Sequence, residues 1–125
     1  MIIDDPNTLA EVTARFADYE AALGRNDVAA LDGFFWPSEK ALRFGTGESL
    51  FGFAAIAAFR SARVPPGQRR LRATRITCFG MDHAVTATEF VRDGQNQLGR
   101  QTQVWVRFPE FGWRIVSAHV SFCHL

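Results

Sequence analysis

Everything after Gly67 reads as strand. Arg69–Phe79, Ala84–Arg92, Leu98–Phe108 and Trp113–Phe122 are long runs rich in β-branched and aromatic residues. Between them stand Gly80-Met81-Asp82, Asp93-Gly94-Gln95 and Pro109-Glu110-Phe111-Gly112, all of them turn chemistry. A meander of long antiparallel strands needs a cover for its apolar face, and the residues before Gly67 supply helices.

Between Asn7 and Leu23, the residues Leu9, Val12, Phe16, Tyr19, Ala22 and Leu23 recur mostly at spacings of three and four. With Asn7 or Thr8 as cap and Glu11 in the first turn, this predicts an amphipathic helix ending at Gly24. A second, shorter helix is expected from an Asn26 or Asp27 cap through Val28, Leu31, Phe34 and Phe35, stopped at Trp36-Pro37. Ala41–Phe44 and Ser49–Phe51 read as short extended pieces around the turn Gly45-Thr46-Gly47-Glu48. Gly52–Val64 returns to helix and is closed by Pro65-Pro66-Gly67. Helices first and strands afterwards mean an α+β fold, in one domain spanning residues 1–125 without repeat or linker. A long-stranded sheet curled around a helical hairpin and a third helix leaves a cone with one open end, where pockets form.

Charge narrows the function. Fourteen Lys+Arg against thirteen Asp+Glu leave a net +1, with no basic field to hold a nucleic-acid backbone or an anionic membrane. No run approaches the roughly 20 apolar residues of a membrane span. The acidic start, Met1-Ile2-Ile3-Asp4-Asp5-Pro6, is unlike a secretory signal, so a cytoplasmic location is expected. Cys78 and Cys123 lie far apart and form no CxxC pair, as suits reduced thiols. Only Lys40 among the fourteen basic residues is lysine; the rest are arginine. Such an excess either reflects Arg-rich codon usage or builds an anion pocket, since the guanidinium fork binds carboxylates bidentately.

No metal site is expected. His119 and His124 fall on opposite faces of a continuous strand, His83 sits in a turn, and there is no HxH, HExxH or Cys/His cluster. GxSxG elbows and phosphate loops are equally missing from the string. Simple alternation sets Gln101, Gln103 and Trp105 on one face of their run, and aligns Ser117, His119 and Ser121 with Trp113 and Ile115 in the next. The opposite face then carries Val104, Val106, Val116, Ala118 and Val120. That is too apolar to leave wet, so a homodimer is expected.

Particular strings add to this. Tyr19-Glu20-Ala21-Ala22-Leu23 with Asn26-Asp27, Phe34-Phe35-Trp36, Leu42-Arg43-Phe44-Gly45, Phe59-Arg60-Ser61-Ala62-Arg63, Gly99 to Trp105 and Gly112 to Ser121 follow one another in an order that resembles the AtzH-like (HpxZ) family. That family belongs to the SnoaL-like branch of the cone-shaped nuclear-transport-factor-two-like fold. The resemblance implies a homodimer packed through its sheets, with a cofactor-free pocket in each cone. It also implies a setting beside amidohydrolases in cyanuric acid or oxalurate catabolism. For the AtzH type it implies decarboxylation of 1,3-dicarboxyurea to allophanate. The family's acid and carboxylate clamp fall on Tyr19 and Arg43.

Further candidates surround that pair. Arg60 and Arg63, three apart on one helical face, either receive a second carboxylate or are solvated or ion-paired. Gln103 and His119 are candidates for a polar wall, and Trp36 and Phe34 for the apolar side that excludes water. Two functions follow as expectations. One is a cofactor-independent decarboxylase of a small N-carboxylated urea. The other is a non-catalytic dimeric binding or accessory subunit that holds a carboxylate metabolite or assists an amidohydrolase.

Overall fold

The computed structural model describes residues 1–125. Helix α1 spans Pro6–Gly24, α2 Val28–Asp32 and α3 Phe53–Ala62; strands are β1 Leu42–Phe44, β2 Ser49–Phe51, β3 Arg70–Phe79, β4 His83–Val91, β5 Gln97–Phe108 and β6 Gly112–His124. All six strands join one curved, unclosed sheet in the order β2-β1-β6-β5-β4-β3. Its pairs are antiparallel except β1 beside β6, which run parallel. No helix is long and apolar enough to cross a membrane.

The predicted stripe of α1 is the one that packs: Val12, Phe16, Tyr19, Ala22 and Leu23 are buried against Ala84, Trp105 and Ile115 of the sheet. Its cap lies earlier than Asn7 or Thr8. Asp5 accepts a hydrogen bond from Thr8 N at 3.1 Å, and Pro6, whose missing N–H costs nothing there, takes the first helical position. The second helix is shorter than its apolar pattern. Asp27 caps it as expected, but the chain leaves the helix at Gly33. Ile115 N then donates to Phe34 O at 2.7 Å, and Trp36 N to Ile115 O at 3.0 Å. A pairing partner in β6 thus outcompetes one more helical turn.

Strand β5 alternates as predicted, and β4 alternates beside it. Ala84, Thr86, Thr88 and Phe90 face inward, as do Gly99, Gln101, Gln103 and Trp105. Strand β6 does not alternate throughout. Val104 pairs with Ser117, but Trp105 pairs with Ile115, so Val116 is an extra residue and a β-bulge. The bulge reverses every side chain beyond it. Ala118 joins the core while Ser117, His119 and Ser121 turn to the outer face, the reverse of the simple parity. Ala118 and Val120 are thereby removed from the expected outer apolar patch.

Candidate functional site

A cavity of about 200 Å³ opens between α1, α3, the β1–β2 hairpin and the inner face of the sheet. Tyr19 reaches it from the buried stripe of α1. Its ring is 5% exposed and packs edge-on against Phe34 at 5.5 Å between centroids. That contact fixes the ring, which lines the cavity.

Arg43 enters from β1. Its guanidinium donates to Glu48 Oε1 at 2.9 Å, and Gly47 N donates to the other oxygen of Glu48 at 3.2 Å. Gly45 leaves room for this pair: a Cβ there would meet the Glu48 carboxylate and push it away from Arg43. Phe59 lies beneath Arg43.

Arg60 and Arg63 come from the last turn and the C-cap of α3. Arg60 is 4% exposed and donates to Asp32 Oδ1 at 3.0 Å, so it bridges α3 to α2. Arg63 has no carboxylate partner, and its buried Nε makes no hydrogen bond. Burial first, and then the like charges of Arg43 and Arg60, hold its guanidinium below the ordinary arginine value, while Tyr19 acts the other way.

The opposite wall belongs to β3, β4 and β5. Arg69, just before β3, grips Glu20 with two nitrogens at 3.1 and 2.6 Å and donates to Gln101 Oε1 at 3.0 Å. Arg92, just past β4, has no carboxylate partner, and its Nε is also buried and unpaired. Burial, and next the nearby Arg69, lower its guanidinium from the usual value. Phe90 lies under both, held in place by lying over Gly99 across the strand pair. A methyl group at Gly99 would overlap the Phe90 ring. Gly99→Ala is therefore expected to cost about 1–3 kcal/mol of stability, as overpacking does, and to displace both arginines, which thermal unfolding and a structure of the variant would show.

Of the eight residues singled out from the sequence, the cavity gathers Tyr19, Arg43, Arg60 and Arg63. The other four stand elsewhere. Gln103 is a core residue, accepting from Thr86 Oγ1, which in turn accepts from Trp105 Nε1, both at 3.0 Å. Phe34 is buried behind Tyr19 rather than lining the cavity. Trp36 stacks on Phe108 at 5.4 Å. His119 lies on the outer face beside Arg100, Thr102 and Ser121, put there by the bulge. No three His, Cys, Asp or Glu side chains converge as metal ligands would.

Sequence reasoning passed over Arg69, Arg92, Phe59 and Phe90. A signal for Arg92 existed, since it continues the inward parity of Ala84, Thr86, Thr88 and Phe90.

Comparison with known proteins agrees with this architecture. A crystal structure of a DUF3225-family protein of unknown function from Pectobacterium atrosepticum is 53% identical, with a TM-score of 0.94 over 97% of this chain and 94% of that one. A cystatin-like fold protein from Burkholderia xenovorans is 42% identical, with a TM-score of 0.96 over 100% and 98%. A nuclear-transport-factor-2-like superfamily protein from Salmonella enterica is 25% identical, with a TM-score of 0.73 over 92% and 90%. No curated protein matches the sequence. The AtzH-like family model matches residues 1–124, and the chain belongs to the AtzH-like family.

Proposed function

We propose that the chain is a cofactor-independent decarboxylase of a small N-carboxylated urea such as 1,3-dicarboxyurea, giving allophanate. The observation that carries this reading is a phenol and an arginine-rich wall facing one small cavity: Tyr19 with Arg43 and Arg63 around it. Cleavage of the N–carboxylate bond leaves its electron pair on a urea-type nitrogen, conjugated with the neighbouring carbonyl. That nitrogen needs a proton and no electron sink. Tyr19 donates the proton, CO2 departs, and solvent returns a proton to the phenolate, which Arg63 stabilises meanwhile. Arg43 clamps the substrate in register. The reaction sets the protein beside amidohydrolases in the breakdown of ureido compounds.

Oxalurate tests the chemistry. Its carboxylate is bonded to carbon, so losing CO2 would leave an acyl carbanion that nothing in the cavity delocalises. Incubated with purified protein, 1,3-dicarboxyurea is expected to yield allophanate by NMR, and oxalurate to remain intact; a chain that leaves both unchanged is a binding subunit instead.

The assembly we propose is a homodimer through the outer face of the sheet. After correction for the bulge, the rows Val85, Val104 and Ser117, and Ala87, Thr102 and His119, run across its centre with Val106 beside them. Sedimentation at micromolar concentration is expected to give a dimer; a stable monomer would contradict this.

A further inference from the structure

Two phenylalanines on the cavity wall carry the arginines in pairs. Phe59 has Arg43 at 5.5 Å and Arg63 at 5.9 Å from its ring centroid. Phe90 has Arg69 at 4.2 Å and Arg92 at 5.1 Å. In each pair one guanidinium already holds a carboxylate of the chain, Arg43 that of Glu48 and Arg69 that of Glu20. The other, Arg63 or Arg92, holds none and keeps a buried, unpaired Nε. Asp32 neutralises the fifth arginine, Arg60. Asp93, next to Arg92, is taken by Arg70 on the surface.

Five guanidiniums against three carboxylates leave a surplus of two positive charges in the cavity. The surplus is divided between two places. Like charge from Arg43 and Arg60 bears on Arg63, whereas like charge from Arg69 bears on Arg92. Partly buried cations without counter-ions are unfavourable, and an anion at each place relieves them. A ligand with one carboxylate answers one surplus charge; a ligand with two answers both.

We infer, resting on the decarboxylase reading above, that Arg92, backed by Arg69 and Phe90, is a second carboxylate socket: it holds the carboxylate that the substrate keeps, while Arg63 and Arg43 beside Phe59 hold the reacting end next to Tyr19. The socket makes the site selective for dianions. It also assists product release. Loss of CO2 takes away one of the two negative charges, so allophanate leaves one socket unneutralised and binds more weakly than its precursor. The bidentate grip of Glu20 on Arg69 keeps the socket in place while empty.

Binding of an inert probe separates this inference from the decarboxylase reading. Glutarate has the same number of chain atoms between its carboxylates as 1,3-dicarboxyurea and no N–carboxylate bond to break. Monomethyl glutarate keeps the backbone with one charge fewer. By calorimetry the wild-type protein is expected to bind glutarate about tenfold or more tightly than the monoester, the scale of a charge-assisted contact. R92Q is expected to lose that preference, binding glutarate no more tightly than the monoester, and R92K, which keeps the charge, to retain most of it. Equal binding of the two probes by the wild type, no binding of either, or an undiminished preference in R92Q would overturn the socket. A preference that R92Q abolishes, in a protein that releases no CO2 from 1,3-dicarboxyurea, would leave the socket standing and remove the decarboxylase reading alone.

Discussion

Tyr19→Phe is expected to lower turnover of 1,3-dicarboxyurea by roughly 10²–10⁴-fold, the usual loss on removing a general acid, with little change in substrate affinity. The variant isolates chemistry from packing because the ring is held by its edge-on contact with Phe34 and its burial in the α1 stripe, neither of which needs the hydroxyl. Stability should therefore hold. In the proposed step Arg63, whose charge the ionised phenol favours, would stabilise the phenolate as the proton leaves. A binding subunit would behave differently: Tyr19→Phe would be silent in every assay. Stopped-flow or steady-state CO2 detection on both proteins distinguishes the two outcomes.

Arg43→Ala should fail in another way. It removes a guanidinium whose charge-assisted hydrogen bonds contribute roughly 1.5–3 kcal/mol each, and it leaves Glu48 without its partner at 2.9 Å. The cavity then changes from a surplus of two positive charges to a surplus of one, with a freed carboxylate on its rim. Ground-state binding of a dianion must weaken, so KM is expected to rise by roughly 10–100-fold while kcat also falls. Steady-state kinetics would show the split. A rise in KM with kcat untouched would mean that Arg43 only binds and does not orient.

Much of this arrangement is legible in the sequence, for reasons that differ residue by residue. The α1 stripe was legible because one face of a long helix must repeat at helical spacing, and Tyr19 lies within that stripe. The long strands were legible through their turns. Phe34 and Phe35 misled because an apolar pair suits a helix face as well as a strand, and only the pairing with Ile115 decides between them. His119 was misplaced by a single extra residue, Val116, whose bulge is set by how β6 registers against β5. The clustering of Arg63, Arg69 and Arg92 depends on bringing the end of α3 to the start of β3 and the end of β4, which no local pattern encodes. The arginine excess was therefore a real signal with no address until the fold supplied one.

Under the proposed function this cavity removes CO2 from a nitrogen-bound carboxylate using the chain's own groups. Its most direct test is CO2 release from 1,3-dicarboxyurea by the purified protein without added metal or cofactor, beside Tyr19→Phe and a protein-free control. One CO2 and one allophanate per substrate consumed are expected, formed catalytically by the wild type and hardly at all by the variant. Release no faster than in the protein-free control, or equal release by Tyr19→Phe, would contradict it.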